Sequence, residues 1–350
     1  ISAFLVVVVM FNGSSILIPI VIAIGVWLVL NDIITYIHNL KIGTFQIPRP
    51  MVAIFGLIIT FFLLLRVIGL FLENLRIFLD AFPQYSKNLN DLLSRIPESV
   101  WLGLFGEEVD LSVGIVDHLF TYASDYFTSY ITIVASDAAT LASNAVYIAV
   151  YVIFLFLEQG TFSTKAYNMF KNHERRQEFQ TIMESIHSQV QTYITVKTLV
   201  SLITAVISFV IMMLFDLNHA IIWAMLIFIL NFIPNIGSII AIIFPVTMGL
   251  LQFGTFGPVV GLLTALGLVQ VAVGYFVEPR MMGNQLNISP FVVLVALTVF
   301  GAIWGVVGMF LSVPLTVMLM IVFSHFDSTR PIAVLLSGDG VVHGIETEDI

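Results

Sequence analysis

Leu230-Asn231-Phe232-Ile233-Pro234-Asn235-Ile236-Gly237-Ser238 lies in the middle of a run, Leu217 to Val277, that contains no Asp, Glu, Lys or Arg. A bilayer core about 30 Å thick takes roughly 20 helical residues to cross, so this run is long enough for up to about three crossings. Its centre is not written as continuous helix. Pro234 removes an amide donor and clashes with the preceding turn, and Gly237 permits backbone that a helix does not use. Hydrocarbon tolerates freed amides and carbonyls only where protein or a water-lined cavity satisfies them. A Pro-Asn-Ile-Gly turn between apolar helices therefore reads as the tip of a re-entrant hairpin, or as a broken spanning helix, at membrane depth. Such breaks are where membrane transporters place binding sites.

The whole chain shares this character. Of its 350 residues 59% are hydrophobic and 10% charged, against about 25% charged in soluble domains, and the mean hydropathy is +1.04. The expected fold is all-α, a polytopic transmembrane helix bundle. A formal net charge of −9 leaves no basic footprint for nucleic acid. Without cysteine there are no disulfides, zinc thiolates or thiol catalysis. His173-Glu174 lacks the second histidine of a zinc site, and neither a Gly-x-Ser-x-Gly elbow nor a Gly-Lys-Ser/Thr phosphate loop occurs. No enzyme, cofactor or metal is expected. The chain opens on Ile1 within an apolar run, so native residues are expected before it. With no basic n-region or small-residue cleavage site, that run does not read as a signal peptide.

Working outward, residues 1–72 hold the N-terminal transmembrane helices. Two fall within residues 3 to 38, divided at Asn12-Gly13-Ser14-Ser15 and Pro19, and a third covers Met51 to Leu72, with Arg66 snorkelling to an interface. The loop between carries His38, Lys41 and Arg49, a cytoplasmic signature. Residues 73–137 are expected as an external acidic amphipathic helical segment, in which Arg76, Lys87 and Arg95 are outnumbered by Asp and Glu. A fourth spanning helix follows at 138–158. Residues 159–193 form a cytoplasmic amphipathic helix, basic at Lys165, Lys171, Arg175 and Arg176, with Phe179, Ile182, Met183, Ile186 and Val190 on one face. The C-terminal core is 194–326, and 327–350 is a cytoplasmic tail, which puts both termini inside.

Within that core a helix over Ile194–Phe215 carries Lys197 near its start and leads into a broken hairpin at 219–250. A Gly-rich turn at Gly254 to Pro258 opens a spanning helix that Glu278-Pro279-Arg280 ends. A second broken hairpin, 289–324, is interrupted by Gly301, Gly305, Gly308 and Pro314. Phe244-Pro245-Val246-Thr247-Met248 and Val313-Pro314-Leu315-Thr316-Val317 look alike. We read a helix-plus-broken-hairpin unit used twice from opposite faces, with the two tips meeting near the midplane as in inverted-repeat transporters.

Asn231, Pro234, Asn235, Gly237 and Ser238 at the first tip, and Gly305, Gly308 and Ser312 at the second, are the candidate solute-binding or gating residues. The two asparagine amides donate and accept, so they either cap the broken helix ends or coordinate a polar solute or small cation. Glu278 and Arg280, two residues apart, would not face each other on a continuous helix, and Pro279 between them favours a turn. They read as an interfacial salt bridge or lipid-facing anchor, or as a gate or proton-linked site at the cytoplasmic mouth. Lys197 reads as a snorkelling anchor or as countercharge to an anionic solute. Asp216 and Asp32 fall at membrane faces, where charge costs little, with a proton or cation role left open.

Asn231-Phe232-Ile233-Pro234-Asn235-Ile236-Gly237-Ser238, then Glu278-Pro279-Arg280-Met281-Met282-Gly283, then Gly305-Val306-Val307-Gly308-Met309-Phe310-Leu311-Ser312-Val313-Pro314-Leu315 strongly resemble, in that order, the autoinducer-2 exporter family of bacterial membrane proteins. The order of elements fits over nearly the whole chain, and the sequence-specific part spans about Tyr193 to Ser337. The resemblance implies a multi-pass transporter of the bacterial cytoplasmic (inner) membrane that works as a homo-oligomer, a pentamer. Its partners would be the lipid bilayer and a small polar solute or monovalent cation. Family members are linked to export of the quorum-sensing signal autoinducer-2 or to exchange of sodium or lithium for protons. The uncharged tips favour the first, and Glu278, Asp216 and Asp32 keep the second open. A reading of a different class is a non-transporting oligomeric membrane scaffold whose breaks serve packing alone.

Overall fold

The computed structural model describes residues 8–39, 49–93, 114–169, 172–283 and 287–341. Backbone groups in hydrocarbon must be satisfied within their own segment, which leaves helices as the solution for a chain this apolar. The described residues are helical almost throughout, and a single backbone bridge between Ile288 and Ser337 is the extent of their β-pairing. The elements are α1 (Ser14–Asn39), α2 (Arg49–Leu93), α3 (Gly114–Met169), α4 (His173–Leu214), α5 (Ala220–Leu230), α6 (Ile236–Phe253), α7 (Phe256–Ala272), a π-helical turn (Val273–Val277), α8 (Glu278–Met282), α9 (Pro290–Ser324) and α10 (Arg330–Leu336). Seven helical stretches among these are long and apolar enough to cross a membrane.

Several helices run through boundaries expected from the change of composition. Of the two helices expected within residues 3 to 38, most of the first lies outside the described residues, and the second is α1, which continues through Pro19. The Asn12-Gly13 turn bends the chain without separating it, because the Gly13 amide still reaches the Val9 carbonyl at 2.8 Å. α2 and α3 pass across residues 72 and 137 without a stop, and residues 94–113 of the acidic segment lie outside the described set. α4 joins the amphipathic stretch to the spanning helix expected from Ile194. It contains neither Gly nor Pro, so nothing halts it where polar sequence gives way to apolar. Its 42 residues make a rod of about 63 Å, twice the bilayer core. Its start is fixed by Asn172, whose side chain accepts from the Glu174 amide at 3.0 Å.

The spanning helices pack into two groups with α4 between them. Ala23, Leu30 and Ile34 of α1 meet Val52 of α2 and Ile148 and Val152 of α3. On its outer side α2 leaves Ile54, Phe55, Ile58, Ile59, Phe62 and Leu63 exposed, a face for which lipid is the solvent. In the C-terminal group Met212 of α4 packs with Trp223, Ile227, Met248, Leu262 and Leu266, and Phe71 and Phe78 of α2 reach the same cluster. Val190 and Tyr193 of α4 pack with Leu28 of α1 and with Val313, Val317 and Ile321 of α9. Trp304 Nε1 donates to the Met10 carbonyl at 2.8 Å, which ties the second break to the N-terminal stretch. After α10 the chain folds back on the loop before α9, where the Ser289 amide donates to the Leu336 carbonyl at 3.0 Å. Residues 342–350 of the expected tail lie outside the described set.

Candidate functional site

The expected break between 230 and 238 is present. α5 stops at Leu230 and α6 starts at Ile236, with non-helical chain between. Asn235 takes φ +58° and ψ −56°, outside the left-handed helical well, and the Ile236 amide reaches the Pro234 carbonyl at 2.6 Å across it as in a γ-turn. The turn is closed by the Ile233 amide on the Leu230 carbonyl at 2.9 Å and the Gly237 amide on the Ile233 carbonyl at 3.2 Å. Gly237 is required by approach: a Cβ there would lie 1.8 Å from the Leu230 carbonyl oxygen. The second break repeats the device. α9 loses helical geometry at Gly305, with φ +62°, and a Cβ on Gly308 would lie 1.9 Å from the Phe300 carbonyl oxygen. The two breaks touch, since the rings of Phe232 and Phe310 stack with centroids 4.1 Å apart and planes 16° from parallel.

The expected site residues do not form one cluster. Asn231 is buried and its amide donates to Ser201 Oγ of α4 at 3.1 Å, while Asn235 is exposed, and its side chain caps no helix. Pro234 is partly buried in the turn. Ser238 Oγ donates to the Asn235 carbonyl at 2.9 Å, and Ser312, fully buried on α9, donates to the Met309 carbonyl at 2.7 Å. Asp216 is exposed between α4 and α5, where its carbonyl accepts from Gln252. Asp32 sits on α1, and its side chain is outside the described set.

The charges near 278 do not pair with each other. Glu278-Pro279-Arg280 does not end the helix. α7 passes through the π-helical turn into α8, and Pro279, which has no N–H to give to the preceding turn, follows directly on the residues where the helix widens. Such π-turns recur at functional sites. The extra residue rotates Glu278 onto α4, where Oε1 lies 2.5 Å from Lys197 Nζ. Arg280 is exposed and is not that partner. Nor does Lys197 snorkel, because its side chain is 7% exposed and that of Glu278 23%.

Together these contacts expose a feature that the sequence reading missed. Tyr193, Lys197, Ser201, Thr204 and Ser208 recur along α4 at steps of four, four, three and four, which is one face of a helix, and all five are buried. Opposite them stand Glu278 on α8 and Asn231 at the first tip. Among the described residues the buried Tyr193 hydroxyl and Gln270 Nε2 have no hydrogen-bond partner. The signal was present in the spacing: hydroxyls at helical period inside an otherwise apolar span. Polar groups are expensive in hydrocarbon, so such a line is a candidate binding surface. Among the described residues no three His, Asp or Glu gather as a metal site would require.

The sequence pattern of the AI-2E family transporters matches residues 1–327. The AI-2 transport protein TqsA of Escherichia coli K12 is 28% identical over 326 residues, which cover 93% of this chain and 90% of that one. A Haemophilus influenzae relative, named only for transport in general terms, is 29% identical over 328 residues, 93% of this chain and 90% of its own. One from Borreliella burgdorferi, named in the same terms, is 31% identical over 223 residues, 63% of this chain and 61% of its own. The match takes in both breaks, the α4 seam and the Lys197–Glu278 pair, and on that extent the chain belongs to the AI-2E transporter family.

Proposed function

We propose that this protein is a secondary transporter of the bacterial cytoplasmic membrane that exports a small, uncharged, polyhydroxylated solute of the autoinducer-2 kind along the seam of α4. The observation that carries this reading is the buried bond from Asn231 to Ser201, which joins the broken tip to the polar face of a spanning helix. Hydroxyls at 201, 204 and 208 with the Asn231 amide offer donors and acceptors without net charge, which suits a neutral solute better than an ion.

α5 has 11 residues, about 16 Å of helix, half a bilayer core. On this reading α5 and α6 form a re-entrant hairpin with its tip at mid-depth, and parting of the Phe232–Phe310 stack changes access between the two sides. Asn231, Pro234, Asn235, Gly237, Ser238, Gly305, Gly308 and Ser312 then shape the moving parts. The acidic stretch 73–137 lies outside, the basic stretch 159–193 and both termini lie inside, and several copies, five by the resemblance, assemble.

A second reading, exchange of sodium or lithium for protons, is favoured by the titratable Lys197–Glu278 pair buried beside the same seam. A scaffold has no use for a polar line inside lipid. Flux into proteoliposomes separates all three: accumulation of autoinducer-2 is expected, dye-reported proton movement under a sodium gradient supports the second reading, and neither signal leaves the scaffold.

A further inference from the structure

The Tyr193 hydroxyl is buried, with the residue 4% exposed, and bonds to nothing among the described residues. A buried polar group left unpaired is costly, and phenylalanine would pack the same space without that cost. Tyr193 sits one turn before Lys197 on the same face of α4, about 6 Å away by helix geometry. Its ring is held by Val190, Val313 and Val317, with Met282 of α8 packed against that cluster. A buried donor therefore lies one helical turn from the lysine that holds the Glu278 carboxylate in this conformation.

We propose that Tyr193 is a positioning residue that serves as the alternate partner of Glu278: when α8 moves against α4 and the Lys197–Glu278 pair parts, the Tyr193 hydroxyl donates to the freed carboxylate. The unpaired hydroxyl of the present conformation is then the requirement of another. The same move lets Glu278 exchange partners without passing through a state in which a partly buried carboxylate has none, a state that costs free energy. This assignment rests on the transport reading for its purpose, though not for its test.

Tyr193→Phe is the informative change, because it removes a hydroxyl that makes no bond here. In the wild-type background it should not lower the unfolding temperature. In a Lys197→Met background, and equally in Lys197→Gln, Glu278 has turned to Tyr193, so the same change should lower it further. In proteoliposomes loaded with autoinducer-2, or under a sodium gradient with a pH-sensitive dye, Tyr193→Phe should cut turnover about 10- to 100-fold, the value of one hydrogen bond to a charged group. KM should move less than about threefold, since the bond is absent from the resting state. Strictly additive unfolding temperatures, or wild-type turnover in Tyr193→Phe, would overturn the assignment. If the wild-type protein moves neither probe, the transport reading fails and the unfolding cycle alone decides the role of Tyr193.

Discussion

Replacing Gly237 with alanine tests the architecture of the first break at its tightest point. The added Cβ would sit 1.8 Å from the Leu230 carbonyl oxygen and 2.9 Å from Ile233 Cβ. A carbon–oxygen contact needs about 3.3 Å, so the carbonyl must retreat by about 1.5 Å. That carbonyl accepts from the Ile233 amide, and the Gly237 amide donates to the Ile233 carbonyl, so both closing bonds of the turn are pulled apart. Two net hydrogen bonds at about 1 kcal/mol each, plus about 1–3 kcal/mol of overpacking against backbone, give a loss of about 3–5 kcal/mol. The assay is thermal unfolding of the purified protein in mild detergent, beside Gly267→Ala, where a Cβ meets nothing within 4 Å. On a helix that control gains up to about 1 kcal/mol. Gly308→Ala, facing the Phe300 carbonyl at 1.9 Å, should behave like Gly237→Ala. If Gly237→Ala unfolds with the wild type, the two tips are not built as described.

The remaining expectations concern charge and hydrogen bonding. Lys197→Met takes the countercharge from Glu278, which a neutral hydroxyl replaces only in part, and should cost about 2 kcal/mol, less than a fully buried pair because the carboxylate is partly exposed; unfolding of the Lys197→Met/Glu278→Leu protein should recover most of that loss. Asn231→Leu takes a partner from the Ser201 hydroxyl and should cost about 1–3 kcal/mol, whereas Asn235→Gly, at a positive-φ residue with no side-chain cap, should unfold at or above the wild-type temperature. His219, between α4 and α5, has its pKa lowered by burial. The unfolded chain therefore binds the proton first as pH falls, so stability is full above about 6.5 and declines as pH drops through that value towards the folded pKa. A pH series of unfolding temperatures should show this decline, and His219→Gln should flatten it.

Much of the fold was legible because lipid leaves few options: uncharged runs became helices, and Pro234-Asn235-Ile236-Gly237 and Gly305 became breaks close to the expected limits. Helix ends were less legible. The sequence marks a change of solvent at 72, 137 and 193, but a helix responds to propensity and capping rather than to polarity, so α2, α3 and α4 run on. Glu278 misled for a related reason. Its partner lies 81 residues away on another helix, and only the π-helical turn, which no local pattern announces, aims it there. The α4 seam was readable in the spacing of Tyr193, Lys197, Ser201, Thr204 and Ser208, yet each residue taken singly resembles the small polar groups that membrane helices use for packing.

The central claim, that solute moves along the α4 seam, is tested most directly by accessibility. The chain has no cysteine, so Ser201→Cys, Thr204→Cys and Ser208→Cys can each be introduced with little change of volume. Leu202→Cys and Val206→Cys on the exposed, lipid-facing side serve as controls. In proteoliposomes a small membrane-impermeant thiol reagent should modify the seam positions but not the controls, and saturating autoinducer-2 should slow that modification. Seam cysteines as inert as those facing lipid, or modified at a rate the solute does not change, would contradict the account.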